Sequence, residues 1–169
     1  MTASAFKQAL WRAVGARLFA CTPHTAHKFR RRLLGAFGAR LTGNVKIRRS
    51  VRIDRPWHLS AGHLTIFGDY AALRLAAPIT IGERCVISQH AILATEMLDP
   101  QTGQTTSAPI TIEDDCWIAA DALVLPGTTV HAGTVVGARA LVAEDLPGWT
   151  VAVGEPARGI KPRAFANAG

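Results

Sequence analysis

Between Ile112 and Val142 an aliphatic residue returns at every sixth position: Ile112, Ile118, Val124, Val130, Val136 and Val142. Ile81, Ile87 and Leu93 keep the same step upstream. Two positions before the aliphatic stands a small residue: Cys85, Ala91, Cys116, Ala122, Thr128, Thr134 or Ala140. An α-helix repeats at about 3.6 residues and a half-buried strand at about 2, so neither sustains a period of six. A chain that turns a corner every six residues does, and the pattern predicts an all-β solenoid. With three faces to a turn, a rung holds about 18 residues. Ile112 should then stack on Val130, Ile118 on Val136 and Val124 on Val142. β-branched residues suit buried parallel strands, and Gly82, Gly127, Gly133 and Gly137 are expected at corners that need left-handed or strained angles.

The pattern changes at two places. Phe6, Leu10, Val14, Leu18 and Phe19 fall on one face of a predicted helix, with Lys7, Arg12 and Arg17 off it. A second helical run covers His27 to Phe37. Later, the six-residue step fails after Leu93, and Ala94 through Ala108 form a polar insertion before Pro109 restarts the repeat. The expected organisation is a basic helical leader over 1–40, a β-helix over 41–163 with an extruded loop at 94–108, and a tail at 164–169.

Charge sharpens the division. Residues 1–53 carry 12 of the 19 basic residues and no acidic one, while residues 54–169 hold seven basic against 12 acidic residues, net −5. A basic amphipathic leader fits a cap over the open end of the solenoid, or contact with an anionic membrane surface. The cap has a motive of its own, because an uncovered rung exposes unpaired backbone groups. The basic stretch has no interleaved aromatics and no recognisable reading module, so nucleic acid is not an expected partner. Cys85 and Cys116 occupy small core slots, and three cysteines make no disulfide framework, which points to the cytoplasm. No apolar run is long enough for a membrane span, and Lys7, Arg12 and Arg17 interrupt any signal-like start.

Between about Phe37 and Arg163 the chain carries a series of short motifs. They include Pro56-Trp57, Ala77-Pro78-Ile79-Thr80-Ile81-Gly82, Ile87-Ser88-Gln89, Cys116-Trp117-Ile118-Ala119-Ala120, Val135-Val136-Gly137-Ala138 and Gly154-Glu155-Pro156-Ala157-Arg158. Together these resemble the hexapeptide-repeat acyltransferases, in particular the colanic-acid acetyltransferase-like group that O-acetylates sugars in exopolysaccharide synthesis. The resemblance implies a left-handed parallel β-helix, a homotrimer and acetyl-CoA as co-substrate. It also implies that the donor lies between subunits along the C-terminal rungs. The matching positions for that donor are Trp117, Ala119, Ala120, Gly137 and Ala138, with Arg139, Arg158 and Lys161 as cations for its phosphates.

In the family the extruded loop carries a histidine, usually followed by aspartate, that takes the proton of the acceptor hydroxyl. The matching stretch here reads Leu93-Ala94-Thr95-Glu96-Met97-Leu98-Asp99, so the histidine position holds Leu98 while Asp99 is kept. Leucine cannot accept a proton. The alternatives are Glu96 as a substitute base, a histidine from elsewhere (His63, His90 or His131), or a homologue that has lost turnover and serves as a binding or assembly subunit. A small xenobiotic is a further possible acceptor. His58 and His63 lack a third ligand at a matching distance, so no metal is expected.

Overall fold

A computed structural model describes residues 3–164. Of the expected tail, residues 165–169 lie outside the described residues. The chain forms a β-solenoid of about six turns whose strands stack in register on three faces. The first face holds Arg40–Leu41, Leu59–Ala61, Ile79–Ile81, Ile110–Ile112 and Thr129–Val130. The second holds Lys46–Ile47, Ile66–Phe67, Val86–Ile87, Trp117–Ile118, Val135–Val136 and Thr150–Gly154. The third holds Arg52–Ile53, Ala72–Arg74, Ile92–Ala94, Leu123–Val124 and Leu141–Val142. Ile112 pairs with Val130, Ile118 with Val136 and Val124 with Val142, as the period requires.

Beyond the first strand, where Leu41 is half-buried, the inward residue of each short solenoid strand is buried, and on the second face the column runs Ile47, Phe67, Ile87, Ile118, Val136 and Ala152. Each large member contributes about 1.5–3 kcal/mol by leaving water. Cys85 and Cys116 fill core slots as free thiols, and Cys21 is exposed. The 18-residue rung holds for the turn after the extruded loop, as from Trp117 to Val135, and the last step, Val135 to Val151, is 16 residues. Lys46 to Ile66 and Ile66 to Val86 are steps of 20 residues. The surplus sits at one corner: Leu73 to Ile81 spans eight residues where Val124 to Val130 spans six. The short 3-10 turn Pro56–His58 occupies that corner one rung earlier, and the extruded loop leaves from it one rung later.

The corner glycines need correction. Gly127 and Gly133 do adopt positive φ, but most left-handed corners are made by other residues, among them Tyr70, Arg84, His90, Asp115, Asp121 and Arg139. Gly82 and Gly137 are small because the next rung crowds them. A Cβ at Gly82 would lie 2.7 Å from Asp114 N, and one at Gly137 would lie 2.6 Å from Val153 Cγ1.

The leader covers the first rung with Trp11 and with only Phe19 of the face that its apolar periodicity marks. Ala3–Leu10, a π-wound turn Trp11–Gly15 and Ala16–Ala20 form one continuous helical run, followed by His27–Ala36. Trp11 and Phe19 are buried, while Phe6, Leu10, Val14 and Leu18 stay in solvent. Rows four residues apart drift around an α-helix, and i→i+5 bonding takes up that drift. Trp11 packs edge-on against Phe37 with centroids 4.9 Å apart, and Gly15 makes room, since a Cβ there would fall 2.3 Å from the indole.

Alternate residues of a parallel strand aim their backbone groups at opposite neighbours, so the first rung has carbonyls with no further strand to meet. Side chains of the leader take them. Arg30 Nε donates to Ile47 O at 2.8 Å, Trp11 Nε1 to Ile53 O at 2.7 Å and Arg31 Nη1 to Val45 O at 3.4 Å. Arg30 is fully buried and also donates to Thr22 Oγ1, Pro23 O and His24 O, all neutral acceptors. Burial, with Arg48 and Arg49 nearby, holds its pKa below the usual arginine value. At the other end Thr150–Gly154 folds back on Ala157–Pro162 as an antiparallel hairpin, which closes the last rung.

Candidate functional site

The outward residues of the three faces differ in chemistry. The first face presents Ser60, Thr80, Thr111 and Thr129, whereas the second presents Ile66, Val86, Trp117, Val135 and Val151. The third presents Arg52 and Arg74 near the leader and Ala72, Ile92, Leu123 and Leu141 along its length. Along the later rungs both faces thus present aliphatic residues that are half-buried within one chain.

Most of the residues matched to the donor gather where the second face turns into the third. Trp117 stands half-exposed on the second face, its Nε1 donating to Ser88 Oγ of the preceding rung at 2.9 Å. Ala119 and Ala120 follow at the corner, and Gly137, Ala138 and Arg139 form the same corner one rung on. Ala119 N donates to Val136 O and Arg139 N to Ala120 O, both at 2.9 Å, which fixes the two corners in register. Ala138 and Arg139 are exposed, Ala120 is partly so and Ala119 is buried. Arg158 pairs with Val153, which packs on Gly137, but its guanidinium is engaged by Glu144 at 3.0 Å. Lys161 is exposed and lies beside Val151 on the closing hairpin. The corner thus offers small side chains, a half-open indole and the exposed Arg139, with Arg158 and Lys161 on the adjoining hairpin.

The extruded segment is a two-stranded hairpin, Glu96–Leu98 against Thr105–Ser107. Its root is rigid: Thr95 is buried, its Oγ1 donating to Arg74 O and accepting from Ala77 N. Residues two apart on a strand share a side, so Glu96 projects on the same side as Leu98. Glu96 is partly exposed and Leu98 is well exposed. Asp99 is occupied elsewhere. Its carboxylate accepts from Gln101 N, Thr102 N and Thr102 Oγ1, closing the hairpin turn. Those bonds, led by the one from Gln101, hold its pKa below the ordinary carboxylate value, which makes it a poorer base.

The histidines are mostly committed. His131 Nδ1 meets Glu113 at 3.2 Å, and Asn44 N donates to His63 Nδ1 at 3.2 Å. His90 stacks on Tyr70, centroids 5.2 Å apart, and among the described residues its ring nitrogens make no hydrogen bond. Among the described residues no three His, Cys, Asp or Glu are grouped to hold a metal ion.

Within one chain the hairpin and the donor corner do not meet. The hairpin leaves where the third face ends, the donor corner lies where that face begins, and a whole strand separates them.

No family model matches the chain. Its sequence is 43% identical over 162 residues to WcaF of Escherichia coli (strain K12), a protein provisionally named a colanic acid biosynthesis acetyltransferase, and the match covers 95% of this chain and 89% of that one. The chain belongs to the hexapeptide-repeat acetyltransferases. A solved hexapeptide-repeat containing acetyltransferase from Vibrio cholerae superposes with a TM-score of 0.85 at 25% identity over 96% of each chain. Its complex with acetyl coenzyme A superposes with a TM-score of 0.81, covering 96% of this chain and 92% of that one.

The geometry adds what residue spacing left open. Glu96 shares a side with position 98, and Asp99 serves the turn. Sequence reasoning missed Arg30 and Ser88. Arg30 is one of three consecutive arginines, and nothing in the run marks which one enters the core. Ser88 is tied to Trp117 only because rungs stack.

Proposed function

We propose that this protein is an acetyl-CoA-dependent O-acetyltransferase that modifies a sugar hydroxyl during assembly of an exopolysaccharide or other cell-surface glycan. The likeness to WcaF, 43% identity along nearly the whole chain, carries this reading. The protein works as a homotrimer. The aliphatic later rungs of two outer faces favour packing of prisms side by side, and the separation of hairpin and donor corner is bridged when a neighbouring copy brings its hairpin to that corner. Acetyl-CoA is held by Trp117, Ala119, Ala120 and Ala138, with Arg139, Arg158 and Lys161 for its phosphates. Gly137 keeps the corner narrow. The acceptor hydroxyl attacks the thioester carbonyl, coenzyme A leaves as the thiol, and Glu96 accepts the hydroxyl proton in place of the family histidine. The enzyme acts on the cytoplasmic side, touching an anionic membrane through residues 1–40.

A second reading is favoured by Leu98 itself. With leucine at the base position and Asp99 held in its turn, the protein is a binding or assembly subunit without turnover. Thiol release from acetyl-CoA in the presence of sugar acceptors separates the two. The first reading expects acceptor-dependent release that falls in Glu96→Gln and rises roughly 10²–10⁴-fold in Leu98→His. No release from wild type, and none gained by Leu98→His, leaves the second.

A further inference from the structure

The leader helix carries apolar residues on two sides, and only one is used. Trp11 and Phe19 close the solenoid, while Phe6, Leu10, Val14 and Leu18 form a second row between 43% and 62% exposed. Phe29 on the following helix is 50% exposed. Arg12, Arg17, Lys28 and Arg32 are exposed on the same two helices, and no acidic residue occurs before Asp54. A row of large apolar side chains on a helix whose only charges are positive is what an amphipathic helix presents to an interface of acyl chains and anionic headgroups.

Beside this helix lies a cleft of about 580 Å³ between the leader and the third face. Trp11 and Phe19 contribute apolar wall, and Arg12, Arg49, Arg52 and Arg74 supply four guanidiniums. Among the described residues none of the four pairs with a carboxylate. The one acid in the lining, Asp54, already accepts from Leu75 N at 2.7 Å and faces Arg55 at 3.4 Å. Guanidinium groups bind phosphate oxygens in pairs, and an apolar wall beside them accommodates the glycerol and upper acyl carbons of a phospholipid.

We propose that the N-terminal helices are an in-plane anchor that seats this acetyltransferase on an anionic phospholipid bilayer. Phe6, Leu10, Val14 and Leu18 enter the acyl layer, and the arginine cleft grips lipid phosphate. This rests on the peripheral-membrane reading above and assigns its chemistry. A second copy of the chain is a poorer occupant of the row, because it would bring two cationic leaders together with no acid between them. Arg74 pairs with Ala94 at the root of the extruded hairpin. A phosphate in the cleft therefore lies against the strand that presents the acceptor side of the site.

The test is flotation of the full-length protein with vesicles of phosphatidylglycerol and phosphatidylcholine, against phosphatidylcholine alone. Wild type is expected to float with the anionic vesicles only and to be released at high salt. Leu10→Asp/Val14→Asp and Arg52→Glu/Arg74→Glu should each weaken partitioning at least ~10-fold. Melting temperature and oligomer mass should stay unchanged in both. Flotation of wild type that neither double variant reduces keeps the membrane contact and overturns this assignment. Failure of wild type to float overturns both. A fall in oligomer mass in Leu10→Asp/Val14→Asp makes the row an interface between copies and overturns the anchor. Release by inorganic phosphate at constant ionic strength would reduce the cleft to a simple ion site, against lipid capture.

Discussion

Arg30 shows how one residue can decide whether a solenoid end is viable. Its fork meets Ile47 O, Thr22 Oγ1, Pro23 O and His24 O from a fully buried position. Removing it takes the donor from two buried acceptors, Ile47 O and Thr22 Oγ1, each costing about 1–3 kcal/mol. Arg30→Met should therefore lower unfolding stability by about 3 kcal/mol or more in urea titration. Arg30→Lys should recover little of it, because an ammonium group cannot reproduce the fork. Stability close to wild type in Arg30→Met would mean that water serves those carbonyls equally well. Leu98 is the opposite kind of residue: it is exposed, bonded to nothing polar and replaceable without disturbing the fold. That is why Leu98→His reads chemistry and not folding. Glu96 at the same side of the strand is the group whose removal discriminates substitute base from silent homologue.

At the scale of elements, the π-wound turn links two jobs of one helix. It lets Trp11 and Phe19 face the core while Phe6, Leu10, Val14 and Leu18 stay aligned outside. Gly15 permits this, since a Cβ there would collide with the Trp11 ring at 2.3 Å. Glycine to alanine in a helix ordinarily gains about 1 kcal/mol. Here overpacking of the indole should cost about 1–3 kcal/mol and prevail. Gly15→Ala is expected to lower the melting temperature and to increase exposure of Trp11, read by fluorescence quenching. A melting temperature above wild type would show that the helix can shift to accept the methyl group. The extruded hairpin is an element of another kind. Its position was legible where the six-residue step fails, but its strand pairing was not, because Thr- and Gln-rich residues carry no apolar alternation.

Across the whole molecule, the outer surface is divided by chemistry: threonine and serine on one face, and aliphatics along the later rungs of the other two, whose leader ends carry Lys46, Arg52 and Arg74. Three prisms packed side by side would cover those later rungs and leave the leader end open, and Val135→Glu with Leu123→Glu should reduce the mass in light scattering to that of one chain. An unchanged mass would rule these faces out as the interface. The extra two residues per early rung share a corner with the extruded hairpin. All departures from the repeat are thus kept away from the donor corner, where the register is strict.

The period of six by itself determined the solenoid, the stacking partners Ile112–Val130, Ile118–Val136 and Val124–Val142, and the site of the one large interruption. These follow from the chain alone because a stacked rung repeats the same inward demand at fixed spacing. Tertiary structure decided which side of the leader is buried, which of three arginines enters the core, and that Trp117 is tied to Ser88. Each depends on what another segment leaves unpaired or uncovered, a gap over Phe37, an open carbonyl or a hydroxyl of the preceding rung. No local pattern carries that information, since the partner lies a rung or a whole element away in sequence.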